Sequence, residues 1–162
     1  KYTKHEKYYY QLLDDGWKLG AINGQDNHRI NFDQADYLTA YIANDLSKNS
    51  LIDAFRSHRT YSTESRFLKL HFTIDETFMG ETISIYSPKI KFSIFTEDIR
   101  YKIKEIQILS NVDDINLNSI KYIYEHQNSP KETWYVIKVL QEDNKTAVSS
   151  PIFINHLNVN HI

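Results

Sequence analysis

Between residues 68 and 74 apolar and polar side chains alternate strictly, with Leu68, Leu70, Phe72 and Ile74 set against Lys69, His71 and Thr73. Only an extended chain turns that period into one buried face, so the run predicts a half-exposed antiparallel strand and rules out a helix there. The texture recurs at Ile83 and Ile85, Ile90 to Phe95, Ile106 and Ile108, Ile120 to Tyr124, Trp134 to Leu140 and Ile152 to Ile154. Met79-Gly80, Pro88, Asp113-Asp114, Pro130 and Asp143-Asn144 fall between these runs as turn punctuation. About seven short strands broken by polar turns predict an antiparallel, immunoglobulin-like β-sandwich over residues 66–162.

Before residue 65 the pattern differs. The stretch up to Asp15 and Gly16 reads as the later part of a helix with Tyr9, Leu12 and Leu13 on one side, and glycine is a natural helix stop. Trp17 to Asn23 carries Leu19, Ala21 and Ile22 with little polar alternation, as a parallel strand covered on both faces would. Tyr37 to Ala43 is strand-like, Ser47 or Ser50 can cap a helix bearing Leu51, Ile52, Ala54 and Phe55, and Arg59 to Thr63 is a short extended exit. Helix followed by buried strand predicts α/β layering over residues 1–65, and hence an α+β chain with a boundary near Ser65.

Composition limits the partners. With 41% hydrophobic and 25% charged residues, 162 residues suffice for one or two small cores. A formal charge of −2 and a pI near 6.4 give no electrostatic case for nucleic acid or an anionic membrane surface. The absence of cysteine removes disulfides, thiolate chemistry and cysteine-ligated zinc, but does not separate cytoplasm from exterior. No apolar run reaches the roughly 18 residues of a membrane helix, and Lys1 to Lys7 is too polar to begin a signal peptide, so the chain is expected to be soluble.

Asp26 and His28 close the apolar run from Trp17 to Arg29, WKLGAINGQDNHR. Two hard metal ligands at i and i+2 of an extended chain share one face, roughly 7 Å apart at Cα by strand rise. A catalytic zinc takes three protein ligands and a water, and oxygen-rich sites take more, so further donors are needed. GWKLGAINGQDNHR, then TAYIANDLSKNSLIDAFRSHRTYSTE, then strands ending in SSPIFI occur in a telling order. With them the chain resembles metal-dependent hydrolases of the polymerase-and-histidinol-phosphatase superfamily, in the branch similar to carbaryl hydrolase. The resemblance implies that residues 1–65 are a remnant of the last α/β units of a (β/α)7 barrel. It also implies that Asp26 and His28 are the last two ligands of a zinc, manganese or iron centre that activates water against a phosphoester or related bond.

The family's N-terminal His-x-His motif, middle Glu and intervening His ligands are absent, so the chain is expected to be an inactive C-terminal part of a larger hydrolase. His5, His58, His71, His126, His156 and His161 show no ligand spacing relative to one another. Arg59 and Arg29 could meet an anionic substrate group through charge-assisted bonds. Barrel strands without their neighbours would expose edges, which predicts self-association. The alternative is a non-catalytic sandwich module that recognises carbohydrate or protein, with Trp134, Tyr135, Tyr122 and Tyr124 as candidate exposed aromatics.

Overall fold

The computed structural model describes residues 4–26, 28–31, 34–117 and 122–157. Helix α1 spans Glu6–Asp14 and α2 spans Lys48–Arg56. The strands are β1 Leu38–Tyr41, β2 Thr60–Thr63, β3 Lys69–Ile74, β4 Thr77–Phe78, β5 Thr82–Ile85 and β6 Lys89–Glu97. They continue with β7 Ile103–Ser110, β8 Ile115–Leu117, β9 Ile123–Gln127, β10 Trp134–Gln141, β11 Thr146–Ser149 and β12 Ile152–His156.

Two sheets pack face to face. The smaller runs β4-β3-β6-β9 and the larger runs β1-β2-β11-β10-β12-β5, with β7 pairing β10 and β8 pairing β7. In β3 and β6 every second residue is buried, so Leu70, Phe72, Ile74, Ile90, Phe92 and Ile94 form one inner face. Tyr61, Ile106, Ile108, Tyr135, Ile137, Val139 and Ile152 of the larger sheet close over them, with Phe92 edge-on to Tyr135 at 5.0 Å between ring centroids. Strand β10 is buried along nearly its whole length because its other face is covered too, and its run of apolar residues without alternation is the consequence.

One side of β10 faces β7, and the other faces first β11 and then β12. Lys138 lies opposite Val148 but Trp134 lies opposite Phe153, so four steps along β10 match five along its neighbour. The extra residue is absorbed at Ser149-Ser150-Pro151. There the Ile137 N–H donates to Ser149 Oγ at 2.9 Å instead of a carbonyl, as a bulge requires. Past that kink the sheet divides, with β2 alongside β11 and β5 alongside β12.

This architecture corrects the α/β barrel remnant expected of residues 1–65. Among the described residues the chain is mostly antiparallel β-sheet with two helices. Residues 17–23 form no strand at all, and Leu38–Tyr41 pairs antiparallel with Thr60–Thr63, which in turn pairs antiparallel with β11. The physical reason lies in hydrogen bonding: a parallel β-α-β unit needs a neighbouring strand for residues 17–23, and side-chain hydroxyls satisfy that segment instead. The same pairing removes the uncovered barrel strands on which the expectation of self-association rested.

On the outer face of the smaller sheet His71 stacks between Phe95 and Phe78, at centroid distances of 4.8 and 5.7 Å. Desolvation holds its pKa below the ordinary histidine value. A base whose pKa is lower when folded binds fewer protons than the unfolded chain, so stability falls as pH drops below the unfolded histidine pKa of about 6.5. His71→Phe is therefore expected to flatten the loss of Tm between about pH 6.5 and 5, measured by calorimetry. An unchanged acid slope would refute the assignment.

Candidate functional site

The outer face of the larger sheet carries a second apolar cluster, Leu109, Trp134, Val136, Val148 and Phe153, which Leu13, Tyr9, Tyr10 and Leu19 cover. Helix α1 presents Tyr9, Tyr10 and Leu13 on one side, and Tyr10 stacks on Trp134 at 5.9 Å with 11° between the rings. Polar bonds fix its pose: Trp134 Nε1 donates to Asp14 Oδ1 at 3.0 Å, and Lys138 Nζ pairs with Glu6 at 2.6 Å. Burial pushes the Tyr9 and Tyr10 phenols well above their ordinary pKa, with the Glu6 carboxylate adding to the effect at Tyr10.

From α1 the chain returns across the same face as an extended segment held by side-chain hydroxyls. The Ala21 N–H donates to Ser150 Oγ at 2.8 Å, and Thr60 Oγ1 donates to the Ala21 carbonyl at 2.9 Å. Two residues on, the Asn23 N–H donates to Thr39 Oγ1 at 2.8 Å, and that hydroxyl donates to the Asn23 carbonyl at 2.7 Å. The two-residue repeat is that of extended chain. The run ends at Asp26, whose φ of 45° turns it into the left-handed region that aspartate tolerates better than most residues.

Between α1 and this segment lies a cleft of about 670 Å³, within the range of ligand-binding clefts. Ser62, Thr146 and Val148 of the larger sheet's outer face, with Glu64 just past β2, form its floor. Tyr8, Leu12 and Ile22, 54%, 39% and 67% exposed, stand along its walls. Glu64 is buried, and its Oε2 accepts from Lys4 Nζ at 3.0 Å and from the Thr146 N–H and hydroxyl at 2.8 Å each. Those bonds commit the carboxylate to tying the start of α1 to β11. The cleft thus offers apolar surface and hydrogen-bonding groups together.

Asp26 stands at the cleft's rim, and its Oδ1 lies 3.2 Å from His28 Nε2. That separation suits adjacent donors on one ion, yet both side chains are almost fully exposed, 92% for Asp26 and 83% for His28. Among the described residues no third histidine, aspartate or glutamate joins them in a metal-holding cluster. The residues present thus fit part of a coordination shell and do not by themselves hold the divalent ion that the family resemblance implies. Arg29 is exposed in the turn after the pair. Arg59 lies at the junction of α2 and β2, its N–H bonded to the Ala54 carbonyl at 2.8 Å and its carbonyl to the Ile42 N–H at 2.9 Å. Neither arginine lines the cleft.

The remaining sequence candidates scatter. Trp134 and Tyr135 are core residues, whereas Tyr122 is half-exposed and Tyr124 packs against the main core. His5 lines the cleft, His126 pairs with Glu132 and His156 Nε2 lies 2.7 Å from the Glu132 carbonyl. His161 and Ile120 lie outside the described residues. The cleft itself went unseen in the sequence because Trp17 to Asn23 reads as a buried strand, whereas Trp17 and Ile22 are exposed. A usable signal was present: Gly20 interrupts the run, as a site of close approach does, and a Cβ there would meet Thr60 Oγ1 at 2.9 Å and Ser150 Oγ at 3.1 Å.

No family model matches the chain, and no solved structure matches it. Its relatives include an uncharacterized protein of Chlamydia trachomatis serovar D, 27% identical over 166 residues that cover 86% of this chain and 27% of that protein. An uncharacterized protein of Chlamydia muridarum matches with the same identity and coverage. The chain thus spans about a quarter of the length of these curated relatives, with which it shares a stretch that includes most of its own residues.

Proposed function

We propose that this chain is a non-catalytic binding module whose working surface is the cleft between α1 and residues 19–26. The observation that carries the reading is the exposure of Tyr8, Leu12 and Ile22 along one concavity, since large apolar side chains gathered in a cleft mark binding sites more often than scattered ones do. A screen of small aromatic and aliphatic fragments by protein NMR is expected to shift amides of residues 19–26, Ser62 and Val148, and Tyr8→Ser with Ile22→Ser is expected to abolish those shifts. Perturbations confined to the outer face of the smaller sheet would overturn the reading.

A second reading is favoured by the 3.2 Å approach of Asp26 and His28. In it the pair lends two ligands to an ion completed by donors outside this chain, as in a metal-dependent phosphoesterase. Melting in zinc or manganese against a chelator separates the two. The module reading expects the same Tm in both and no effect of Asp26→Ala or His28→Ala, whereas a metal-dependent rise that both substitutions remove would favour the second.

A further inference from the structure

We propose that the cleft takes an extended peptide, which adds as a strand to the outward backbone edge of residues 20–24. The inference rests on the binding-module reading and names its ligand class. Leu19, Ala21 and Asn23 all turn backbone groups inward: Tyr9 Oη donates weakly to the Leu19 carbonyl at 3.5 Å, and the Thr60, Ser150 and Thr39 hydroxyls take the other two. In extended chain neighbouring residues point their N–H and C=O to opposite sides. The groups of Gly20, Ile22 and Gly24 therefore point away from the sheet, and among the described residues none of these groups has a hydrogen-bond partner. All three residues line the cleft.

A row of unpaired N–H and C=O groups at two-residue spacing is the template for strand addition, in which backbone bonds give affinity and pockets for alternate side chains give specificity. Tyr8 and Leu12 of α1 and the Ile22 side chain supply apolar contacts for every second side chain of the incoming strand. Charge sets the rest of the preference. Glu6 is paired with Lys138 and Glu64 with Lys4, which leaves Asp26, beside His28, as the carboxylate at one end of the edge that no lysine or arginine pairs among the described residues. The occupant is an extended segment with alternating apolar residues and a lysine or arginine at the Asp26 end.

Hydrogen exchange on the free protein tests the edge itself: the amides of Ala21 and Asn23 should be protected while those of Ile22 and Gly24 exchange rapidly. A phage-displayed library of random linear peptides then tests the ligand class. Selected binders should show apolar alternation with a basic residue, and their binding should slow exchange at Ile22 and Gly24. Ile22→Pro removes an N–H that the free fold leaves unbonded, so it should keep the Tm while weakening the peptide about tenfold. Should Ile22→Pro melt early, N-methylation of alternate residues in the selected peptide replaces it, and unchanged binding by the methylated peptide overturns the proposal. Failure to select any binder, or selection of peptides indifferent to Ile22→Pro, also overturns it. Fragments or glycans that bind in a Tyr8-dependent way without such peptides would leave the cleft reading standing and remove strand addition alone.

Discussion

Replacing Gly80 with alanine is expected to destabilise the fold by about 3–5 kcal/mol, which for a chain of this size lowers Tm by roughly 10 °C. Gly80 has φ of 94° and sits in the turn between β4 of the smaller sheet and β5 of the larger one, its N–H donating to the Pro151 carbonyl at 2.7 Å. A Cβ there would overlap the Ser57 carbonyl oxygen and come within 2.8 Å of that of His58. Both are backbone atoms of the corner between α2 and β2, which is pinned by the Arg59 N–H donating to the Ala54 carbonyl at 2.8 Å. Neither side can rotate away, so strain at positive φ adds to overpacking. Gly16→Ala is the control: its φ of 87° imposes similar backbone strain, but nothing lies within 4 Å of the added carbon. It should cost about 1 kcal/mol. Urea denaturation of both variants measures the difference, and equal losses would show that the close approach at Gly80 contributes nothing.

Strands were legible where one face alone is buried. The alternation from Leu68 to Ile74 places β3 to within a residue and the run at Ile90 to Phe95 falls inside β6, whereas Trp134 to Leu140, buried on both faces, was legible from the length of its apolar run. Ser47 also caps α2 as read, accepting from the Ser50 N–H at 3.2 Å. Three strands were not legible: β4 has two residues, β8 has three, and β11 with Thr146, Ala147, Val148 and Ser149 carries too little contrast to show a period. The misreading at Trp17 to Asn23 has a different cause. Apolar composition without alternation is shared by a buried strand and by an extended segment whose inward bonds go to hydroxyls, and nothing local to the segment tells that Thr39, Thr60 and Ser150 will supply them. Because those three residues are distant in sequence, the cleft they position is equally hidden. Asp26 and His28 were found because their chemistry is local, whereas the completeness of a metal site depends on side chains brought from elsewhere.

The same locality hid a buried polar network in the loop between β9 and β10. Glu132 is buried, and its carboxylate lies 3.0 Å from His126 Nε2 while Oε2 accepts from Asn128 Nδ2 at 3.2 Å and from the Ser129 N–H. Asn128 also donates to Tyr135 Oη at 2.8 Å, and the His126 ring sits edge-on to Phe92 and Tyr135 at 6.3 and 5.7 Å. This network occupies the passage from β9 of the smaller sheet to β10 of the larger, so it locks the loop that joins the two layers. A buried carboxylate must have its oxygens hydrogen-bonded, and among the described residues His126 is the one ring nitrogen within bonding distance of Glu132 Oε1. His126→Ala is expected to cost about 3–5 kcal/mol, more than an average surface histidine, because it removes a packed ring and leaves a buried carboxylate oxygen without its hydrogen-bond partner. Replacing both residues, His126→Leu with Glu132→Leu, removes the unsatisfied carboxylate and leaves only the loss of the loop bonds, so the double variant should be less destabilised than the sum of the singles by about 1–3 kcal/mol. Denaturant melts of the four proteins close the cycle. Strict additivity, or a His126→Ala loss below about 1 kcal/mol, would show that Glu132 is held by Asn128 and Ser129 alone and that the histidine contributes packing rather than a hydrogen bond.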